Sequence, residues 1–144
     1  GLSVETDYLL QTFGIDKIND EMHQQYEDFY RDVYQKAKFK VRLKEKLEDG
    51  YEVEVVISPI DIFVKTNDDV DAAFDTELSK EFATEAELDE NIAGAVLQVL
   101  NAAKGDIDYL EDQTVIVTIK KDEEGYWNFN DEDFNAVDTY IIAY

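Results

Sequence analysis

The stretch KDEEGYWNFNDEDF, residues 121–134, carries side chains that could bind a cation, since it holds six acidic residues and two Asn. A calcium loop of the EF-hand type needs acidic residues or Asn at positions one, three and five, and Gly at position six. Counted from Asp122, position six is Trp127, so the pattern fails. We therefore predict a hairpin turn at Gly125 followed by a helix cap, and no metal site. Weak calcium binding by the clustered acids stays open as the alternative.

His23 and Asp61 are the two residues that could take part in acid–base catalysis. His23 is the only histidine and lies off the apolar stripe of a predicted helix, which is typical of a solvated side chain. Asp61 lies in the apolar segment IDIFV, where burial could raise its pKa and make it a general base. An outward-facing position in an alternating strand explains Asp61 more simply. The chain has no Cys and no P-loop, GxGxxG, HExxH or GxSxG motif, so we expect no enzyme and keep these two residues as the catalytic candidates.

Two further groups of side chains could bind a ligand. Residues 36–46 hold six of the thirteen cationic residues and could bind an anion, although neutralisation by Glu52 and Glu54 across a hairpin is the simpler interpretation. The aromatic residues are nine Tyr, eight Phe and one Trp, and some of them could line a pocket between a helix and a sheet. The pocket candidates are Tyr30, Tyr34 and Trp127, with core packing as the alternative. We expect no cofactor.

Apolar residues three and four apart predict helices that would position these side chains. The helices are predicted over residues 4–13, 17–37 and 67–104, with a final helix that begins at Asn130 or Asp131. Gly14 is expected to end the first of them. Within residues 67–104, Asn67 or Asp68 is expected to cap one helix, and Thr84 with Glu87 a second.

Alternating apolar and charged residues predict two β-hairpins, each with one buried face. In the first, a three-residue loop with Gly50 in the left-handed conformation would place Leu47 opposite Tyr51 and Leu43 opposite Val55. Lys46 would then meet Glu52, and Lys44 would meet Glu54. In the second, the same loop would place Ile119 opposite Phe129, with Trp127 on the core face. Pro59 is expected to end or kink the first hairpin's second strand, and Ile60 to Val64 could continue that strand past the bend.

Composition limits the classes of partner. The net charge of −22 repels nucleic acid and anionic lipid, so neither is an expected partner. No apolar run approaches the roughly 20 residues of a membrane span. A chain of 144 residues most simply forms one domain over residues 1–144. Because it begins at Gly1 rather than Met, we expect a fragment that lacks an upstream signal segment.

The segments YEDFYRDVYQKAKFKV and DEEGYWNFNDEDFNAVDTYIIAY carry a family resemblance, which rests mainly on the hairpin of Gly125, Tyr126 and Trp127. The chain resembles the C-terminal domains of uncharacterised Gram-positive surface lipoproteins, whose fold is similar to the NTF2-like and cystatin-like α+β group. The long helical segment 67–104 departs from a minimal NTF2-like cone. The resemblance implies an extracellular, lipid-anchored setting on the cell surface, with the lipidated Cys in a lipobox upstream of Gly1. It implies no catalytic residues.

These observations predict an α+β domain with an antiparallel sheet of about four strands, built from two hairpins, and helices packed on one face. We expect a non-enzymatic module of a surface lipoprotein that binds a small molecule or a protein. One alternative is a small NTF2-like isomerase or hydrolase that uses Asp61 and His23 in a conical pocket. Another is a structural domain that dimerises through the outer sheet face, at Val56, Ile116 and Thr118. Membrane attachment is expected only through the upstream lipid anchor.

Overall fold

The computed structural model describes residues 1–16 and 18–144, and this part of the chain forms five helices and seven strands. The helices are α1 (Leu2–Thr12), α2 (Asp20–Tyr34), α3 (Asn67–Leu78), α4 (Glu85–Ala103) and α5 (Asp131–Ile141). The strands are β1 (Lys38–Lys46), β2 (Gly50–Ser58), β3 (Ile60–Asp61), β4 (Asp108–Tyr109), β5 (Gln113–Lys121), β6 (Trp127–Phe129) and β7 (Ile142–Ala143). The predicted α+β class with a four-stranded antiparallel sheet is confirmed.

The chain divides into two compact units, each of which it enters twice. A helical unit consists of Gly1–Lys36 and Ile62–Ile107 and contains α1 to α4. A sheet unit consists of Ala37–Asp61 and Asp108–Tyr144 and contains every strand together with α5. The expectation of one domain over residues 1–144 stays a prediction.

Helix α2 forms the aromatic centre of the helical unit. The side chains of Tyr26, Phe29 and Val33 are buried, as their spacing of three and four predicts, and Tyr30 beside that stripe is buried as well. The Asn19 side chain caps the helix by accepting a hydrogen bond from the Met22 N–H at 2.8 Å. The predicted end at residue 37 is wrong, since the helix ends at Tyr34 and the chain turns toward β1. The predicted start at Lys17 lies outside the described residues.

Caps account for some of the other helix boundaries. Gly14 follows α1 with a φ of 73°, the left-handed conformation expected there. Thr84 caps α4 by accepting a hydrogen bond from the Glu87 N–H at 3.1 Å. The predicted cap of α3 at Asn67 or Asp68 is wrong, because Thr66 occupies the cap position. The Thr66 hydroxyl donates to the Ile62 carbonyl at 2.7 Å instead of capping the helix.

The large sheet has the order β1-β2-β5-β6, and every neighbouring pair is antiparallel. The predicted register of the first hairpin is wrong. Leu43 lies opposite Val53 rather than Val55, and Lys46 lies opposite Tyr51 rather than Glu52. A bulge between Leu43 and Glu45 adds one residue to β1, so the register changes along the strand. The alternation of side chains could not reveal this extra residue.

Gly50 is required for a reason other than the one predicted. Its φ is not positive, so the left-handed loop expected there is wrong. Gly50 instead opens β2 beside β5, where an ideal Cβ would lie 1.9 Å from the Ile119 carbonyl oxygen. Only a residue without a side chain fits at this approach of two backbones.

The second hairpin follows its prediction. Ile119 lies opposite Phe129, and Gly125 adopts the left-handed conformation with a φ of 89°. The continuation of β2 beyond Pro59 is wrong. Ile60–Asp61 form β3 in a separate three-stranded sheet of order β4-β3-β7, in which β3 and β7 are parallel. Two-residue strands carry no periodic signal, so the sequence could not indicate this sheet.

Candidate functional site

One face of the large sheet is apolar across all four strands. The registers place the apolar side chains of β1, β2, β5 and β6 on this face, except those of Val56 and Ile116, because alternate residues of a strand share a side. Its centre is buried at Val55, Ile57, Val115 and Val117. The α5 residues Ala136, Val137 and Ile141 pack against this centre.

Helix α5 is too narrow to cover the whole face. It contacts β2 and β5, the two central strands. With strands about 4.8 Å apart, the axis of β1 lies about 7 Å to the side of a helix centred over that pair. A helix with its side chains reaches only about 5 Å from its own axis. The apolar side of β1 is therefore left uncovered by α5.

The uncovered strip forms an apolar groove between α5 and the sheet, with a volume of about 260 Å³. Its lining residues are Phe39, Val41, Val55, Ile57, Val117, Phe129, Phe134, Val137, Asp138 and Ile141. Nine of these ten side chains are apolar, and Asp138 is the one charged group. A lining of this kind can bind apolar groups.

The side chains at both rims of the groove are exposed to solvent, so the groove is open. Phe39 is 61% exposed and Val41 59%, so the prediction that the apolar side of β1 is buried is wrong. On the other rim, Phe129 is 61% exposed and Phe134 63%. Large apolar side chains gathered at one place and exposed to this extent mark interaction sites on soluble proteins.

Two contacts hold α5 in the position that forms the groove. The Asn130 side chain caps the helix by accepting hydrogen bonds from the N–H groups of Glu132 at 2.8 Å and Asp133 at 3.4 Å. In β5, one residue before the part that pairs with β6, the Thr118 N–H donates a hydrogen bond to the Asp133 carboxylate at 3.0 Å. The N-terminus of α5 is thereby tied to β5, which fixes one wall of the groove against its floor.

The predicted pocket residues Tyr30, Tyr34 and Trp127 do not line this groove. Tyr30 is fully buried in the helical unit, with its ring centroid 6.4 Å from that of Tyr34. Trp127 belongs to the sheet unit, where it is 51% exposed and its ring centroid lies 5.8 Å from that of Tyr51. Their roles as ligand contacts stay predictions. The register does place Trp127 on the apolar face of the sheet, as predicted.

The catalytic candidates also fall in different units. His23 lines a cavity of about 570 Å³ in the helical unit, and its Nε2 lies 2.8 Å from Asp7 Oδ1. The described residues of that lining include no Ser or Thr that a His–Asp pair could activate. Asp61 lies in β3 of the sheet unit, opposite Asp108. Catalysis by His23 and Asp61 stays a prediction.

The acidic stretch 121–134 forms the predicted turn and cap. The Asp122 carboxylate accepts hydrogen bonds from the N–H groups of Glu124 and Tyr126, each at 2.9 Å, and from the Asn128 side chain at 2.9 Å. These hydrogen bonds, above all the one from Asn128, hold the pKa of Asp122 below its ordinary value. The Asp122 oxygens are thus used inside the hairpin.

The cations of β1 are only partly neutralised. Arg42 pairs with Glu54 across the hairpin at 2.9 Å, whereas the predicted pairs of Lys46 with Glu52 and of Lys44 with Glu54 are wrong. The turn closes between Leu47 and Gly50, which places Lys46 opposite Tyr51, and Lys44 is the extra residue of the bulge. The residue opposite Glu52 is Glu45. Within the described part of the chain, Lys40, Lys44 and Lys46 form no ion pair.

A group of three carboxylates in the helical unit was not predicted. The oxygens of Asp16, Glu85 and Asp89 lie within 4.8 Å of one another. Asp89 is buried and accepts a hydrogen bond from the Asp16 N–H at 3.4 Å. The residues are up to 73 positions apart in the chain, so no spacing could reveal the group. Exposed acids often gather without an ion, and we assign this group no function.

No helix among residues 1–16 and 18–144 is both long and apolar enough to span a membrane. No protein-family model matches the chain, and no curated protein matches it in sequence. In structure, the chain is similar to a protein from Bacillus subtilis described as a "putative lipoprotein (ycdA)", with a TM-score of 0.70 and 18% sequence identity. The match covers 99% of this chain and 45% of that chain, so this chain spans less than half the length of that protein. At 18% identity the likeness establishes the fold alone, and membership of the NTF2-like group stays a prediction.

Proposed function

We propose that this chain is a non-enzymatic binding module of a bacterial surface lipoprotein, and that its apolar groove binds apolar side chains of a protein partner. The observation that carries the proposal is the groove itself, with Phe39, Phe129 and Phe134 exposed at its rims. Covering an exposed Phe or Val side chain contributes up to about 1.5–3 kcal/mol, so a few such contacts would support specific binding.

The size of the groove favours side chains over a whole small molecule. Its volume of about 260 Å³ lies below the roughly 300–1,000 Å³ that is usual for small-molecule sites. One or two apolar side chains would fill it. Asp138 on the lining disfavours an anionic group inside the groove, because two carboxylates would then share an apolar environment.

The surface setting is supported by the likeness to the Bacillus subtilis protein and by the lipoprotein resemblance of the hairpin around Trp127. Metabolic labelling of the full-length protein with an alkyne fatty acid tests this setting. We expect label on a Cys upstream of Gly1, removed when that Cys is replaced. A full-length protein that takes up no label would contradict a lipid-anchored setting.

The groove is tested with the neutral dye Nile red, whose fluorescence rises when even part of its ring system lies against apolar side chains. The chain should bind the dye, and the Phe39→Ser and Phe134→Ser variants should lose most of the signal. Leu78→Ser is the matched control, since Leu78 is also an exposed apolar residue but belongs to α3. Equal dye binding by the parent and both groove variants would refute the groove as the binding site.

A further inference from the structure

The edge strand β1 exposes to solvent both a free backbone edge and all of its side chains. It lies at the border of the large sheet, and all nine of its residues are exposed. Phe39, Val41 and Leu43 point to the groove side, while Lys38, Lys40 and Arg42 point to the opposite side. The free edge of β1 therefore offers backbone hydrogen bonds flanked by apolar groups on one side and cations on the other.

We propose, resting on the proposed function of the groove, that β1 is the docking edge for an extended acidic segment of a partner protein. The segment would add a strand beside β1, with apolar side chains toward the groove and Asp or Glu opposite the cations. Regular pairing is available from Lys38 to Leu43, because the bulge follows Leu43. The partner segment is thus about six residues, or about 20 Å long.

The chain already shows which kind of strand β1 accepts. On its inner edge, Arg42 of β1 lies opposite Glu54 of β2 and forms an ion pair with it at 2.9 Å, while Val53 and Val55 lie opposite Leu43 and Val41 on the apolar side. A strand presents the same side chains to both of its neighbours, so the outer edge favours the same alternation. Since Lys40 forms no ion pair among the described residues, it is available to an acidic partner.

The net charge of −22 does not prevent this pairing. At physiological ionic strength, exposed charges more than about 8 Å apart are largely screened. An acidic strand at 4.8 Å from β1 would therefore interact mainly with the local cations of the strip. Long-range repulsion would slow association but leave the local pairs intact.

A second copy of the chain is a poor occupant of this edge. Antiparallel pairing of two β1 strands about Val41 would place Lys40 of one copy opposite Arg42 of the other. Like charges directly opposite one another destabilise a sheet. The same cations that disfavour this self-pairing favour an acidic strand. They therefore both attract an acidic partner and repel a second copy of the chain.

A membrane surface also fits poorly. A bilayer meets a broad area of the protein rather than one strand, so the net charge of −22 opposes binding to anionic lipid. The cations Lys38, Lys40 and Arg42 lie on the opposite side of the sheet from Phe39 and its apolar neighbours, so lipid that covers the apolar groups would not face them directly. A strand placed alongside the edge contacts both at once.

The test titrates a fluorescein-labelled peptide, EVEVEVE, with the protein in 0.15 M salt and measures anisotropy. Two control peptides are KVKVKVK, with the opposite charge, and EEEVVVE, with the same composition but no alternation. We expect the alternating acidic peptide to bind at least about tenfold more tightly than either control. Equal binding of EEEVVVE would show attraction by charge alone and would overturn the strand proposal, as would no binding of EVEVEVE.

Variants locate the site. Lys40→Glu should weaken binding of EVEVEVE about tenfold, since an attractive cross-strand pair becomes repulsive. Lys40→Gln should weaken it by a smaller factor. Lys120→Glu is the control, with the same charge change on β5 of the same sheet, and should alter binding less than twofold. Unchanged binding by both Lys40 variants would overturn the proposal.

Further measurements separate the alternatives. Binding to phosphatidylglycerol vesicles that depends on Lys40, without binding of EVEVEVE, would overturn the proposal in favour of a membrane surface. A dimer in light scattering that the peptide cannot dissociate and that Lys40→Glu strengthens would overturn it in favour of a second copy. If Nile red still binds while the peptide does not, only the edge proposal fails. Loss of both would refute the groove as well.

Discussion

Gly50 opens β2 at a point where the backbone of β5 leaves no room for a side chain. An ideal Cβ on Gly50 would lie 1.9 Å from the Ile119 carbonyl oxygen and 2.9 Å from the Lys120 Cα. Real Cβ atoms essentially never approach other heavy atoms closer than 3.0 Å. A Gly50→Ala substitution therefore increases the separation of the two strands by about 1.1 Å at this point. Hydrogen bonds near 2.9 Å, such as that from the Lys121 N–H to the Asp49 carbonyl, would then be strained or broken.

The expected loss of stability follows from these distances. Overpacking against rigid backbone costs about 1–3 kcal/mol, and each lost hydrogen bond about 0.5–1.5 kcal/mol. We therefore expect Gly50→Ala to lower the free energy of unfolding by about 2–4 kcal/mol. Urea unfolding followed by Trp127 fluorescence measures this, because Trp127 is the only Trp and lies in the same unit.

Gly105→Ala is the matched control for this experiment. Gly105 has no atom within 4 Å of its ideal Cβ and no positive φ. Its substitution should leave the unfolding free energy unchanged or raise it by up to about 1 kcal/mol, since the unfolded chain loses freedom. A Gly50→Ala protein within about 0.5 kcal/mol of the parent would refute the close approach of β2 and β5, and with it the register that positions the groove.

Three other predictions concern the supports of the two units. Tyr26→Phe should lower the unfolding free energy by about 1–2 kcal/mol in urea, because the buried hydroxyl donates to the Ala93 carbonyl at 2.7 Å; no change would show that this bond contributes nothing. Asn130→Ala should lower it by about 1 kcal/mol and weaken Nile red binding, since the cap holds the groove helix α5, whereas an intact dye signal would contradict that role. For Asp122, the pKa is depressed in the folded state, so its stabilisation is present above the unfolded pKa near 3.9 and is lost as pH falls through the folded value. The melting temperatures of parent and Asp122→Ala should therefore differ at pH 6 and converge toward pH 2, and a gap that stays constant would refute this linkage.

Much of the fold was predictable because local signals decide it. The Thr84 cap, the left-handed Gly125 and the pairing of Ile119 with Phe129 each depend on a few neighbouring residues. The helices of the helical unit follow from apolar spacing, which is strong over a segment as long as α4. Periodicity also identified which side chains of β1 share a face.

The groove was not predictable, because it depends on how much of the apolar sheet face is covered by helix α5. Alternation marks Phe39 and Val41 as facing the apolar side, but only the position of α5 over β2 and β5 leaves them exposed. The bulge before Glu45 likewise has no signature in the alternation, and it changed which charges meet across the hairpin. The expected neutralisation of Lys44 failed because Lys44 is the extra residue of the bulge, and that of Lys46 failed because the turn closes between Leu47 and Gly50.

The most direct test of the binding function is a two-dimensional ¹H–¹⁵N NMR titration of the chain with N-acetylphenylalanine amide, a mimic of one apolar side chain. The account predicts saturable shifts concentrated at Phe39, Val41, Phe129 and Phe134 and along α5, which Phe134→Ser abolishes. Saturable shifts confined to the helical unit, or no shifts at the groove up to the solubility limit of the probe, would contradict it.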